Sequence, residues 1–270
     1  IRTGLEVSGP FFFLGTRYAC AALIMLPLSF SILRGLTLHE VIAGAVIGVS
    51  LFLGTALQTI GLLSITASKS AFITTFYVPA VPVIQWLLLR RRPKTKAWLG
   101  IGCAFIGLLL LSGPDGVSMG FGKGELLTYI STVAIAFEIV LISFFAGAVN
   151  VRRVTIVQVL VTSFLGFLFM PVYGESIPPF SWLLVFTASG LGLASAIIQF
   201  VMNWAQRTIS PTRATVIYAG EPVWGGLFGH LAGERLPLLA FVGCAFIVAG
   251  VLISDFKFSR KSPAAVQKNE

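Results

Sequence analysis

The sequence predicts an all-α polytopic membrane protein, an inverted repeat of two five-helix bundles in which the first helix of the first half is absent. Its composition, its apolar segments and an internal similarity support this fold class. Of the 270 residues, 56% are hydrophobic and 11% are charged, whereas soluble domains carry about 25% charged residues. This composition excludes a soluble enzyme, a nucleic-acid-binding module and a disordered chain.

Nine segments of the chain are apolar and approach the length of about 20 residues that a helix needs to cross a bilayer. Short loops separate these segments, so no soluble domain is inserted between them. Together they predict nine helices in this chain. The predicted spans cover residues 11–33, 38–62, 70–89, 97–112, 124–147, 154–173, 180–202, 213–233 and 237–254.

Basic residues are distributed unevenly between the two sides of the predicted membrane. Most of the 19 Lys and Arg residues fall on the side of the C-terminal tail, whereas Arg2, Lys69, Lys123 and Arg235 fall on the other side. Because cytoplasmic loops carry an excess of Lys and Arg, the C-terminus is predicted to be cytoplasmic. The net charge of +9 then reflects topology and does not require a nucleic-acid partner. The predicted location is a bacterial inner (cell) membrane.

The two halves of the chain align when one is shifted by 143 residues. The aligned pairs are Ala71 with Ala214, Pro79 with Pro222, Gly100 with Gly243, and Gly107 with Gly250. The shift relates each helix to the fifth helix after it, so the two copies face in opposite directions, as in many secondary transporters. The helix over 124–147 has no counterpart, and ten helices are therefore expected in the natural protein. The predicted domains are 1–119 and 120–255, the two half-repeats, and 256–270, a cytoplasmic tail.

Motifs in both halves carry a family resemblance. The first half has Ser64-Ile65-Thr66-Ala67-Ser68-Lys69-Ser70-Ala71-Phe72 and then Pro79; the second has Ile209-Ser210-Pro211-Thr212-Arg213-Ala214, Gly220-Glu221-Pro222-Val223-Trp224 and Gly233-Glu234-Arg235. In order and spacing, the chain resembles the EamA family of the drug/metabolite transporter superfamily. The resemblance implies a ten-helix exporter or importer of small organic solutes with a central cavity between the halves. Where that family carries an acidic residue after the fourth helix of each half, the first half has Arg91.

Three charged residues stand out among those inside the predicted spans, where a charge costs about 2.5 to 3.5 kcal/mol on insertion scales and usually marks a functional site. Glu138 is either a cavity carboxylate that binds a proton or a cationic group, or a neutral carboxyl bonded to a neighbouring helix. Glu221, next to Pro222, either binds a proton or substrate beside a broken helix or belongs to a packing motif. Arg17 either holds a substrate carboxylate or pairs with Glu138, or it extends to the interface; the resemblance adds a fourth interpretation, the structural arginine typical of the family's second helix.

Uncharged polar and aromatic residues extend the predicted cavity. Thr55, Gln58 and Thr59 share one helix face, as do Gln199, Asn203 and Trp204. Taken singly, such residues are better explained by hydrogen bonds between helices or by the interfacial aromatic belt; as a set they favour a binding cavity. The predicted substrate- or proton-binding residues are Glu138, Glu221, Arg17, Tyr18, Gln58, Thr55, Gln199, Asn203, Trp204, Tyr77 and Tyr218.

The sequence offers no catalytic, metal or cofactor motif. Cys20, Cys103 and Cys244 lie far apart, and HExxH, GxSxG and P-loop patterns are missing. We therefore expect no enzyme activity and no cofactor. The predicted function is secondary transport of a small organic metabolite or drug by alternating access, as an exporter or with proton coupling, by a monomer or homodimer in the lipid bilayer. The alternative is a non-transporting membrane scaffold or assembly protein, which is favoured if the polar residues face other helices and leave no cavity.

Overall fold

A computed structural model of the chain describes residues 5, 8–90, 93, 95–116, 122–220, 223–224 and 238–255. In this described part the chain forms helices joined by short turns, and no strand occurs there. The helices are α1 (Pro10–Leu33), α2 (Leu38–Gly61), α3 (Ala67–Thr74), α4 (Tyr77–Leu89), α5 (Thr95–Gly116), α6 (Lys123–Phe145), α7 (Val151–Val172), α8 (Trp182–Ala205), α9 (Pro211–Tyr218) and α10 (Leu238–Asp255).

The prediction of an all-α polytopic membrane protein is confirmed. Six stretches of the described chain are long and apolar enough to cross a membrane: α1, α2, α3 together with α4, α6, α7 and α8. The apolar parts of α5 and α10, Thr95–Leu110 and Phe241–Ile253, are shorter. Of the span predicted over 213–233, the structure describes α9 and residues 223–224. Glu221 and the tail over 256–270 lie outside the described residues.

The span predicted over 70–89 is broken into two helices. The break at Thr75 and Phe76 follows from the chemistry of Pro79, which has no amide hydrogen to donate to the carbonyl of Thr75 and whose ring crowds that carbonyl. The Thr75 carbonyl accepts instead from the Val78 amide at 3.0 Å, and the Thr75 hydroxyl donates to the Phe72 carbonyl at 2.6 Å. The chain therefore changes from one helix to another within the apolar stretch.

The second half contains a matching short helix. Both α3 and α9 have eight residues, and the position of α9 is that of α3 shifted by 144 residues, one more than the shift predicted from Ala71 and Ala214. In both helices a hydroxyl caps the start: Thr66 accepts from the Lys69 amide and Ser210 from the Arg213 amide. The two halves thus interrupt their helices at equivalent places.

Glycines allow pairs of helices to approach closely in corresponding places. A Cβ atom added to Gly48 of α2 would lie 2.7 Å from the Gln158 carbonyl oxygen of α7, and one added to Gly192 of α8 would lie 2.8 Å from the Arg17 carbonyl oxygen of α1. Gly192 is again Gly48 shifted by 144 residues. The contact of α2 with α7 therefore resembles the contact of α8 with α1, as an inverted repeat requires.

Polar contacts tie helices together at both ends of the bundle. We call the end at which α8 and α10 finish the C-terminal face. There Arg153 forms an ion pair with Glu40 at 3.1 Å and donates to the Ile32 carbonyl at 2.8 Å. At the opposite face Glu175 accepts from the backbone amides of Phe11 and Phe12 at 3.0 and 2.9 Å. These contacts hold α1, α2 and α7 around the interior that contains Glu138.

Candidate functional site

The carboxyl of Glu138 lies buried in the helix bundle, with 4% of the residue exposed. The Gln158 side chain donates to one of its oxygens at 3.3 Å, and the Gln199 side chain lies beside the carboxyl. The ion pairs formed by the described residues join Lys69 to Glu125 and Arg153 to Glu40, and neither reaches Glu138. In this part of the chain Glu138 therefore has neutral hydrogen-bond partners.

Three amide side chains form a connected group beside Glu138, which we call the amide cluster: Gln158, Gln199 and Asn203. Gln158 donates to the Gln199 side-chain oxygen at 2.8 Å and accepts from the Asn203 amide at 2.9 Å. Asn203 also donates to the Gln199 backbone carbonyl at 2.9 Å. The three residues are 0%, 6% and 6% exposed, respectively. A carboxyl and three amides thus occupy the space between α6, α7 and α8.

Tyrosines lie beside the part of α6 that carries Glu138. Tyr18 is 1% exposed, bonds to the Thr55 side chain, and interacts electrostatically with both Arg17 and Glu138. Tyr218 also interacts electrostatically with Glu138. Tyr77 and Tyr218 both pack against the apolar cluster that contains α6 residues on either side of Glu138. The structure therefore brings the predicted residues Tyr18, Tyr77 and Tyr218 to Glu138.

Of the alternatives that the sequence left open for Arg17, an ion pair with Glu138 is not formed in this structure. Arg17 instead donates to the Ser195 hydroxyl at 2.7 Å, and its guanidinium lies 5.3 Å from the centre of the Tyr18 ring, a cation–π distance. Adjacent residues on a helix point about 100° apart, so Tyr18 faces Glu138 while Arg17 faces α8. Arg17 thus has partners of its own, separate from the amide cluster.

The polar residues of α2 do not all face this site. Thr55 and Thr59 donate to carbonyls of their own helix, at Leu51 and Thr55, over 2.7 and 2.6 Å. Gln58 donates to the Thr74 hydroxyl of α3 at 2.9 Å. Of this predicted group, Thr55 contacts Tyr18 and so approaches Glu138.

Trp204 is separated from the predicted partners Gln199 and Asn203. It is 61% exposed, because it follows Asn203 directly in α8 and points to the outer surface of the bundle. In a membrane this surface faces lipid. Gln199 and Asn203 share a buried face of α8, and Trp204 does not lie on that face.

Gln158 was not predicted from the sequence, although its side chain bonds those of Glu138, Gln199 and Asn203. Also not predicted were Gln206, which hydrogen-bonds the Tyr218 hydroxyl at 3.2 Å, and Gln85, which accepts from the Thr212 hydroxyl at 2.6 Å and so joins α4 to α9. A glutamine inside or at the end of an apolar span is the signal that identifies these residues. Apart from tyrosines, the residues predicted from the sequence were the charged residues inside spans and the polar residues of the helices that carry Gln58 and Gln199, so these three glutamines were left out.

A cavity of about 360 Å³ lies between α1 and α8, toward the C-terminal face. It is separate from the amide cluster, and most of its lining is apolar. The lining residues are Ile24, Met25, Ser29, Arg152, Leu193, Ala196, Ile197 and Phe200. In the part of the chain that the structure describes, no group of three His, Cys, Asp or Glu side chains is placed to hold a metal ion.

Comparisons with known proteins agree with this fold. Residues 1–113 and 122–254 match the sequence model of the EamA-like transporter family. An uncharacterized transporter of Archaeoglobus fulgidus is 28% identical over 261 residues, 95% of this chain and 80% of that protein. The uncharacterized inner membrane transporter YedA of Escherichia coli (strain K12) is 26% identical over 267 residues, 94% of this chain and 84% of that protein.

A solved crystal structure superposes with a TM-score of 0.77 at 18% identity and covers 93% of this chain and 90% of that one. This likeness supports the fold. The relatives are named as transporters, which argues against an enzyme, and the apolar helices make the chain an integral membrane protein. Because the family's sequence model matches nearly the whole chain, this protein belongs to the EamA-like transporter family.

Proposed function

We propose that this protein is a proton-coupled secondary transporter of a small organic solute, working by alternating access, and that Glu138 carries the proton. The observation that supports the proposal most strongly is the buried Glu138 carboxyl, whose described partners are neutral amides and tyrosines. Burying a carboxylate without a cation costs several kcal/mol. The carboxyl is therefore stable in this setting when it holds a proton or compensates a bound cation.

The broken helices support the same proposal. In many secondary transporters the binding site lies near the middle of the membrane, where helices are interrupted at corresponding positions of two inverted repeats. The break between α3 and α4 and the end of α9 are such a pair. Tyr77 begins α4 and Tyr218 ends α9, and both pack beside the Glu138 segment. The helix ends and the carboxyl thus converge on one region.

The contacts of Glu138 also suggest how a proton is exchanged for a solute. The amides of Gln158 and Gln199 can accept or donate hydrogen bonds, so they remain partners of the carboxyl in either protonation state. Tyrosine rings present a face for a planar or cationic solute. A solute that enters this region replaces contacts within the amide cluster, and the proton on Glu138 is released when a cationic group takes its place.

The competing function is that of a membrane scaffold. It is favoured by the mutual hydrogen bonds of the amide cluster, in which Gln158 contacts both Gln199 and Asn203, because such a network can serve packing alone. The two functions differ in one property: a scaffold moves no solute. Glu221, which lies outside the described residues, stays a second candidate for the proton site.

The experiment is a flux assay with purified protein in liposomes that contain a pH-sensitive dye. A panel of amines, amino acids, nucleosides and sugars is added outside, and the change of internal pH is recorded. We expect at least one class to drive proton movement, and Glu138→Gln to abolish it, because the side-chain amide of glutamine does not take up or release a proton. The matched control is Glu125→Gln, because Glu125 pairs with Lys69 near the opposite face.

Folding of each variant is checked by its melting temperature in detergent. Flux that Glu138→Gln leaves unchanged would remove Glu138 from the mechanism. A native protein that is folded and moves none of the panel would favour the scaffold.

A further inference from the structure

The buried face of α8 changes from apolar to polar along its length. Toward the opposite face its buried residues are Leu184, Ala188 and Gly192. Toward the C-terminal face Ala196 is buried as well, and the buried polar residues are Ser195, Gln199, Asn203 and Gln206, none more than 6% exposed. Successive members are three or four residues apart, so they form one stripe on the helix. We call the part from Gln199 to Gln206 the polar stripe.

The polar stripe connects Glu138 with one end of the bundle. Gln199 lies beside the Glu138 carboxyl, and Gln158 donates to both side chains. Gln206 is the last residue of the stripe, at the C-terminal cap of α8. At 1.5 Å per residue the stripe is about 10 Å long. A buried carboxyl is thus joined by neutral polar groups to the C-terminal face.

Gln206 has a buried side-chain atom that needs a further partner. The residue is 2% exposed; its amide nitrogen donates to the Tyr218 hydroxyl at 3.2 Å, while its amide oxygen finds no partner within the described part of the chain. Buried polar atoms in proteins are nearly always hydrogen-bonded, and ordered water satisfies those that protein groups do not reach. The geometry of Gln206 therefore favours a water molecule at the end of the stripe.

The repeat offers a natural comparison on the other side of the membrane. Shifted by 144 residues, Thr55, Thr59 and Leu62 of the first half correspond to Gln199, Asn203 and Gln206. The hydroxyls of Thr55 and Thr59 are occupied by carbonyls of their own helix, and leucine takes the place of Gln206. The equivalent stripe on α2 is thus less polar and closes with an apolar residue.

From this asymmetry we infer that Glu138 communicates with water through the polar stripe, at the C-terminal face, and that Gln206 forms the entrance. The inference deepens the proposed function of Glu138. Hydronium at the entrance passes its proton along water molecules to the Glu138 carboxylate, which becomes a carboxylic acid while water remains; release is the reverse. The titratable side chains that face Glu138 from α1 and α9 are Tyr18 and Tyr218, Tyr77 packs beside it from α4, and Arg17 adjoins Tyr18.

Cysteine accessibility tests the route without requiring transport. Cys20, Cys103 and Cys244 are first replaced by alanine, and Asn203→Cys or its repeat counterpart Thr59→Cys is then introduced. Membrane vesicles of both orientations are treated with a charged, membrane-impermeant thiol reagent, and a cleavable tag on the tail reports which face is outside. We expect Asn203→Cys to react from the C-terminal face, at least about tenfold faster than Thr59→Cys reacts from either face, because the stripe solvates one site and not the other.

A second pair of variants tests the entrance itself. In the Asn203→Cys background, Gln206→Leu removes the polar entrance and is expected to slow labelling by about tenfold. In the Thr59→Cys background, Leu62→Gln is expected to speed labelling from the opposite face. Melting temperatures verify that the variants fold. Labelling of Asn203→Cys that is absent, or faster from the opposite face, overturns the route, and a Gln206→Leu rate equal to that of the parent overturns the entrance.

The labelling result and the flux result have separate consequences. If Glu138→Gln abolishes flux but Asn203→Cys is not labelled, the route is refuted and the proposed function stands. If Asn203→Cys is labelled as expected but Glu138→Gln leaves flux unchanged, the route stands as a hydrated pathway and the proposed function of Glu138 is refuted.

Discussion

Gln158 is the residue on which the amide cluster depends, and its replacement by leucine is the most informative stability test. Gln158 donates to Glu138 and Gln199 and accepts from Asn203, at 3.3, 2.8 and 2.9 Å. Gln158→Leu removes these three bonds and puts an apolar side chain of similar size in place of the amide. Hydrogen bonds between helices inside a membrane protein are worth on average about 0.6 kcal/mol each, so we expect a loss of about 2 kcal/mol in the free energy of unfolding.

The loss is measured by unfolding purified protein in mixed micelles with increasing denaturing detergent. The matched control is Gln58→Leu, because Gln58 makes one bond, to Thr74, and about 0.6 kcal/mol is expected there. A Gln158→Leu protein as stable as the native one, or no less stable than Gln58→Leu, would refute the claim that the cluster joins α6, α7 and α8. If the cluster also belongs to the transport site, Gln158→Leu reduces proton-linked flux.

Two further predictions concern packing and the C-terminal face. Gly107→Ala places a Cβ atom 2.5 Å from the Gly243 carbonyl oxygen. This variant should destabilise the contact of α5 with α10 by about 1–3 kcal/mol. The control is Gly102→Ala, whose Cβ atom meets nothing within 4 Å and which should not lower the melting temperature. Arg153→Met removes the ion pair with buried Glu40 and should lower the free energy of unfolding by about 1 kcal/mol. The control is Arg152→Met at the exposed neighbouring position, which should lower it less in the same unfolding assay.

The fold class was predictable from the sequence because hydrophobicity determines it directly. Outside 70–89 and 213–233, the predicted apolar spans correspond to helices within a few residues. Pro79 indicates the break between α3 and α4, although 70–89 was predicted as one span. The predicted shift of 143 residues between the halves is one residue smaller than the shift that relates α3 to α9. A few identities in apolar segments determine an alignment poorly.

The candidate site was predictable in part. The charge of Glu138 identified it within an apolar span, and the spacing of Gln199 and Asn203 identified their shared face. The partner Gln158 lies on another helix, and the sequence contains no local signal for which helices meet. For the same reason the sequence left the partner of Arg17 open between Glu138, a substrate carboxylate and the interface, whereas the direction of its side chain on α1 turns Arg17 to Ser195.

The central claim is that Glu138 couples a proton to solute movement. Its most direct test compares two modes of transport by Glu138→Gln in liposomes: accumulation of a labelled solute against its gradient under an imposed pH difference, and exchange of labelled for unlabelled solute with no pH difference. The account predicts that Glu138→Gln loses both modes of transport while Glu125→Gln keeps both, because a neutral amide cannot release a proton and cannot compensate the cationic group of a solute. Accumulation equal to that of the native protein would contradict it.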